Sequence, residues 1–289
     1  MPASTPLRPL VDALEQMSAL DSVAKTVGKT VRDLIGRGEI KDAISGTWFG
    51  HAVHPPLTDV VIGSFLGVSL LDLLGAGDKS SERLLGVGLA AAVPTALTGA
   101  NDWADTEIAD EAVRRVGLVH ATANSSALVL YAASLGARRR GARGRGAALA
   151  LTGTAVMTVG GYLGGHMSYT RGVGPNRTAF DPGPHDWTAV GDGQAFPDGE
   201  PRAAIAQDTP VLLLRHGDGI HAIHNRCSHR GCMLTEGDAE GHVVTCACHG
   251  SQFDVRDGSV VRGPATAGQP AFETRERDGK VEIKLSRRG

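Results

Sequence analysis

The chain has 289 residues, with 29 Lys and Arg against 31 Asp and Glu and a formal net charge of −2. That length points to two domains, the charge balance gives no electrostatic case for nucleic acid as a partner, and four cysteines in so long a chain exclude a small disulfide scaffold. The mean hydropathy of −0.07 resembles that of a soluble globule but averages two unlike halves.

Residues 1–44 are read as an N-terminal amphipathic helix. Leu10, Leu14, Met17, Val27, Val31 and Leu34 recur at steps of three and four or their multiples, and Pro9 suits a first turn. No basic flank followed by an apolar run opens the chain, so a signal peptide is not expected. The helix is expected to lie on a membrane surface or to pack on the second domain.

Residues 45–171 are read as a four-helix transmembrane domain. Three stretches lack any Asp, Glu, Lys or Arg, namely 84–101, 116–137 and 146–170, and each reaches the roughly 18 residues expected of a span. A fourth, 57–77, is equally apolar but carries Asp59 and Asp72. Pro94 is expected to kink its helix, and the many small residues suit close helix packing in lipid. Arg138, Arg139, Arg140, Arg143 and Arg145 gather between the third and fourth spans, which places that loop in the cytoplasm. The acidic loop from Asp102 to Glu111 then faces outward, as does everything after His166, although Arg114 and Arg115 stand against this orientation. The chain is thus expected to be a multi-pass cell-membrane protein in contact with the lipid bilayer.

Residues 172–185, with Gly174, Pro175, Pro182, Gly183 and Pro184, read as a linker. Residues 186–289 then alternate short β-rich runs with turns: 188–190, 202–206, 210–215, 220–224, 242–246, 271–275 and 281–285. The fold class is therefore α+β multidomain, a helical bundle followed by an all-β domain of sandwich or barrel type.

All four cysteines fall in the β domain, as Cys227-Ser-His229-Arg-Gly-Cys232 and Cys246-Ala-Cys248-His249-Gly-Ser251. Two thiolates and two imidazoles drawn from such paired loops suit either a tetrahedral zinc or a [2Fe–2S] cluster. A structural zinc site leaves the two extra cysteines unexplained.

The two motifs resemble the Rieske [2Fe–2S] domain, in the disulfide-containing subtype found in cytochrome bc complexes. The resemblance covers residues 186–289 and implies that Cys227 and Cys246 bind one iron and His229 and His249 the other, with Cys232 and Cys248 bridged. Gly263-Pro264-Ala265 resembles the family's proline loop, so Pro264 is expected to cover the cluster. Ser251 sits where a hydroxyl donates to a bridging sulfur, and Phe253 stands where high-potential members carry Tyr. Neutral imidazoles in place of two thiolates raise the potential and leave ring nitrogens that can carry protons. The potential is therefore expected below that of cytochrome bc members and above all-cysteine ferredoxins.

In the membrane half, Gly50-His51-Ala-Val-His54-Pro55-Pro56, Thr98-Gly99 with Asp102-Trp103, and Gly164-Gly165-His166 resemble an uncharacterised family of four-helix bacterial membrane proteins and, more loosely, haem-binding cytochromes of the b type. His54, His120 and His166 are accordingly candidates for haem b or a quinone. The alternative is that His51, His54 and His166 are interfacial caps and His120 a hydrogen-bonded bundle residue near Asn124. Asp72 is either a proton-path residue or a satisfied packing residue.

The function expected is one-electron transfer, coupled to protons, with a quinol, a haem or a redox protein. The alternative is a cytoplasm-facing, ferredoxin-like component of an oxygenase system, or a redox sensor. Forty residues follow His249, too few for the catalytic domain of a Rieske oxygenase, so a self-contained catalyst is not expected.

Overall fold

The computed structural model describes residues 7–76, 78–217 and 219–286. The chain forms two compact units: one contains the sequence up to Ile35 and Val53–Val173, the other Gly36–Ala52 and Gly174–Gly289.

The first unit is helical. Helix α1 (Arg8–Glu15) and helix α2 (Asp21–Ile35) replace the single amphipathic helix read over residues 10–35. The break has an electrostatic cause. The Arg115 guanidinium donates to the Glu15 carbonyl at 2.6 Å and to both oxygens of the Asp21 carboxylate at 2.8 Å, so it caps the end of α1 and anchors the start of α2. Val11 of α1 packs with Val116 and Leu163, and Glu15 accepts from His166 Nε2 at 2.7 Å. Helices α1 and α2 thus fold with the bundle.

A second short helix, α3 (Glu39–Ser45), belongs to the other unit. It precedes four long helices: α4 (His54–Leu73), α5 (Asp78–Ala104), α6 (Glu111–Arg139) and α7 (Arg143–Tyr169). All four are long and apolar enough to cross a membrane. At about 1.5 Å per residue even α4, with 20 residues, matches a hydrocarbon core about 30 Å thick. Pro55 and Pro56 sit in its first turn, where the missing N–H groups cost nothing, and α5 continues through Pro94. Asp110 caps α6 by accepting from the Ala112 and Val113 N–H groups at 2.9 and 3.1 Å.

The bundle core centres on Phe65, stacked on Tyr131 with ring centroids 3.7 Å apart, beside Val68, Leu85 and Met157. Gly88 and Gly153 lie under these two rings, where a methyl group would collide with Phe65 and crowd Tyr131. Val60, Leu66, Leu70, Val87, Val93 and Val129 point outward and are exposed, as expected of helices whose outer faces meet lipid.

Ionic pairs bear on two points of the sequence reading. Arg114 and Arg115 are buried, Arg114 bonding Glu107 at 2.7 Å and Arg115 bonding Asp21 and Glu111, so the two arginines at this helix end are neutralised locally. Asp72 pairs with Arg138, which accounts for it as a satisfied packing residue.

The second unit is β-rich. A six-stranded antiparallel sheet has the order β1-β10-β9-β4-β3-β2, built from β1 (Thr188–Asp192), β2 (Pro201–Ala206), β3 (Thr209–His216), β4 (Gly219–His224), β9 (Ala271–Arg277) and β10 (Lys280–Leu285). A second sheet has four short strands, β5 (Asp238–Glu240), β6 (Val243–Thr245), β7 (Gln252–Asp254) and β8 (Val260–Arg262); the first cysteine loop joins β4 to β5 and the second joins β6 to β7. Leu212 and Leu214 of β3 face Ile223, Leu234 and Phe253 in one core, while Val211 and Leu213 face Phe272 and Val281 in another, so β3 is buried on both sides. The stretch read as a linker is part of this unit from Gly174: Arg177 N–H donates to the Ser228 carbonyl at 3.0 Å, and Pro184 accepts from Leu285 N–H at 2.7 Å.

Candidate metal centre

Two loops carry the cysteines, one after β4 and one between β6 and β7. They close in the same way. Cys227 N–H donates to the Cys232 carbonyl and Gly231 N–H to the Cys227 carbonyl, both at 2.8 Å; Cys246 N–H donates to the Ser251 carbonyl at 2.8 Å and Gly250 N–H to the Cys246 carbonyl at 3.0 Å. Both closures need a residue at positive φ, supplied by Gly231 at 87° and Gly250 at 82°. The shared Cys-x-x-x-Gly spacing is the sequence trace of this geometry.

Cys232 and Cys248 form a disulfide that ties the loops together, and Cys227 and Cys246 remain as buried thiols. The His229 and His249 rings meet edge to face, with centroids 5.0 Å apart. The two thiols interact directly. Their hydrogen bond lowers Cys246 to about 6, while the same bond, together with burial, drives the Cys227 thiol up. Burial, reinforced by the charge of Arg230, pushes the His229 imidazole well below its ordinary value and keeps it neutral, the form that ligates metal.

The proline loop closes the site. Ser228 Oγ donates to the Ala267 carbonyl at 2.7 Å, and Ala265 N–H donates to Ser251 Oγ at 3.0 Å. Ser251 is fully buried, and accepting from Ala265 leaves its own hydroxyl proton to be donated elsewhere. Pro264 lies beside Ala265 in this loop, and Phe253, also fully buried, packs in the core that contains Cys227 and Cys246.

Residues 186–273 match the Rieske [2Fe-2S] domain family. The same region is 33% identical over 100 residues to the anthranilate 1,2-dioxygenase ferredoxin subunit of Burkholderia cepacia, covering 35% of this chain and 93% of that protein. The chain belongs to the Rieske family. Its Rieske domain is also 28% identical over 98 residues to the cytochrome b6-f complex iron-sulfur subunit of Chlorobaculum tepidum, covering 34% of this chain and about half, 53%, of that subunit. Among solved structures, the complex of reduced oxygenase and oxidized ferredoxin in carbazole 1,9a-dioxygenase matches at 27% identity with a TM-score of 0.34, covering 35% of this chain and 97% of that one. Residues 50–177 match a second family, described as Predicted membrane protein (DUF2231).

The chemistry of the Rieske site fits a [2Fe–2S] cluster. Two buried thiols and two imidazoles could hold it, and the bridge takes the other two thiols out of the donor set, as in the bc-type subtype.

The membrane histidines each bond a neighbouring helix. His166 bonds Glu15, which Arg171 also engages at 2.8 Å, so His166 is committed to the α1–α7 contact. Burial raises the Glu15 carboxyl, yet the hydrogen bonds from Arg171 and His166 outweigh it and hold the group below the usual carboxylate range. His54 Nδ1 bonds the Thr95 carbonyl at 3.0 Å and His120 Nδ1 the Gly160 carbonyl at 2.8 Å, which ties α4 to α5 and α6 to α7. Asn124 Nδ2 donates to the His120 carbonyl at 3.0 Å. Each ring fits against a glycine, Gly99 or Gly164. Each of the three histidines makes a packing contact between helices, and the haem b expectation gains no support.

Sequence reasoning missed two contributors to the Rieske unit. Asp181, in the stretch read as a linker, accepts from Thr209 Oγ1 at 2.6 Å and from His224 Nε2 at 3.2 Å. The stretch Gly36–Ala52, read as part of the N-terminal helix and the first membrane segment, docks on the cluster loops.

Proposed function

We propose that this protein is a membrane-anchored Rieske electron carrier in which Cys227 and Cys246 hold one iron and His229 and His249 the other. The observation that carries the reading is the pair of loops with one closure, each offering a buried thiol and an imidazole, joined by a disulfide outside the donor set. The bound cluster supplies exchange of single electrons. The chain does the rest. The Cys246 thiol gives up its proton readily, Ser251 has a hydroxyl proton to direct at the sulfur side of the site, and Phe253 and Val244 keep water from it. The second ring nitrogens of His229 and His249 are where a proton would be held when an electron arrives.

Helices α4 to α7 anchor the carrier in a bilayer, and the partner is a quinol or a redox protein. The arginines around the α6–α7 turn, Arg139, Arg140, Arg143 and Arg145, argue for a cytoplasmic turn and hence an extracytoplasmic Rieske domain. The disulfide supports that side, because such bridges persist in oxidising compartments. A second reading, a cytoplasm-facing ferredoxin-like component of an oxygenase system, is favoured by the 33% identity to the dioxygenase ferredoxin subunit.

Two experiments test these readings. Purified full-length protein, reduced and examined by electron paramagnetic resonance, should show a Rieske-type signal that disappears in Cys227→Ser. Labelling of intact cells with a membrane-impermeant maleimide, before and after mild reduction, should modify Cys232 and Cys248 only after reduction. Labelling confined to permeabilised cells would support the cytoplasmic reading instead.

A further inference from the structure

Three histidines outside the candidate cluster's donor set meet within the Rieske unit. His216 ends β3, His221 lies in β4, and His242 stands in the turn between β5 and β6. The His242 ring is edge-on to both of the others, its centroid 4.7 Å from that of His216 and 5.0 Å from that of His221. All three side chains belong to half-buried residues, held by their surroundings yet within reach of solvent.

Two sheets bring the rings together. In the β3–β4 ladder His216 pairs with Gly219 and Leu214 with His221, so His216 and His221 are diagonal neighbours on one face of the six-stranded sheet. His242 comes from the four-stranded sheet, where Glu240 pairs with Val243 and leaves Gly241 and His242 as a two-residue turn. Gly241 takes a positive φ of 58° there, and the His242 carbonyl accepts from Val255 N–H at 2.8 Å, which fixes the turn. His216 reaches across to it: a methyl group on Gly241 would stand 4.0 Å from His216 Nε2.

Ring spacing decides whether such a group can share an ion. Two imidazoles on one tetrahedral zinc, with Zn–N bonds of about 2.0–2.1 Å, have ring centres roughly 5 Å apart. The two measured separations match that value. Rotation about χ2 turns an imidazole about an axis through its own centre, so it selects which nitrogen faces inward and leaves the spacing unchanged. Imidazole nitrogens suit zinc and its divalent neighbours, and three of them leave a fourth position for water. We propose that His216, His221 and His242 bind one divalent transition ion of the zinc class, which clasps the β3–β4 hairpin to the β5–β6 turn. Strand β6 runs from the residue after His242 to the residue before Cys246, so the clasp steadies the strand that delivers a candidate iron ligand. The site shares no residue with the Rieske donor set and does not depend on what that set holds.

The test is equilibrium dialysis of the purified full-length protein against micromolar zinc, with bound metal counted by mass spectrometry and its ligands read by zinc K-edge X-ray absorption. Cys227→Ser is carried in parallel, because it removes a thiol through which zinc could enter the cysteine loops. Cys227→Ser should retain one zinc per chain with nitrogen neighbours at about 2.0–2.1 Å and no sulfur at about 2.3 Å, and the bound ion should raise its melting temperature. Adding His242→Gln should abolish both the retained zinc and the thermal shift, while the melting temperature in chelator stays that of the parent. No retained zinc, a sulfur neighbour in Cys227→Ser, or full zinc retention after His242→Gln overturns the proposal. Should His242→Gln fail to fold, His216→Gln takes its place under the same criteria.

Discussion

Asp72, near the end of α4, and Arg138, near the end of α6, form an ion pair whose side chains are 6% and 1% exposed. Ser81 Oγ supports Asp72 at 3.4 Å, and Ser134 Oγ accepts from Arg138 Nε at 3.3 Å. A buried charge left without its counter-ion typically costs about 3–5 kcal/mol, whereas replacing both partners by apolar groups is often neutral. Asp72→Asn is therefore expected to destabilise the bundle by roughly 3 kcal/mol, and Asp72→Leu combined with Arg138→Met to recover most of that loss. Denaturant titration of the detergent-solubilised protein checks both, and a loss in the double variant equal to the sum of the losses in Asp72→Leu and Arg138→Met alone would mean that the pair carries no coupling.

Ser251 joins the proline loop to the second cysteine loop through the Ala265 N–H. Ser251→Ala removes the acceptor of a buried N–H, at a cost of about 1–3 kcal/mol, and also removes the hydroxyl proton available to the cluster. The expected result is a lower midpoint potential together with a lower melting temperature. A midpoint unchanged in the loaded variant would assign Ser251 to loop packing alone.

Phe253 occupies the same core as Cys227 and Cys246 and has no polar atom to offer them. Phe253→Tyr introduces a donor next to the thiolate side of the site, and a hydrogen bond to a ligand sulfur favours the reduced, more negative cluster. The midpoint should rise. Redox titration of the single variant decides it, and a fall or no change would show that the new hydroxyl points away from the sulfurs.

The bundle and the cysteine loops were legible in the sequence because both rest on local patterns. Charge-free runs betray helices long and apolar enough to cross a membrane, and Cys-x-x-x-Gly reflects a backbone that must turn at Gly231 and Gly250. Strands β5, β7 and β8 were not legible, since three residues each are too few to establish alternation. The break between α1 and α2 depends on Arg115, about a hundred positions downstream, and so leaves no local trace. The docking of Gly36–Ala52 was invisible for a related reason: Arg37 and Thr47 bind backbone carbonyls, which every residue carries and no motif encodes.

His224 is fully buried, accepts from the Arg226 N–H through Nδ1 at 3.0 Å and donates from Nε2 to Asp181 at 3.2 Å. Burial pushes its pKa below the ordinary histidine value of 6.5, and the opposing pull of Asp181 does not cancel that effect. The sign follows from linkage. Below about pH 6.5 the unfolded chain binds a proton that the native state refuses, so stability is full above that value and falls with pH until the native imidazole also protonates. Asp181 is itself held below the usual carboxylate range, burial being outweighed by the Thr209 and His224 hydrogen bonds, so its contribution is lost only in stronger acid. Melting temperatures of the wild type should therefore decline between neutral pH and pH 5. His224→Gln, which loses about 1–3 kcal/mol through its buried hydrogen bonds, should begin lower and decline less steeply across the same interval. Parallel slopes for the two proteins would move the acid sensitivity to another group.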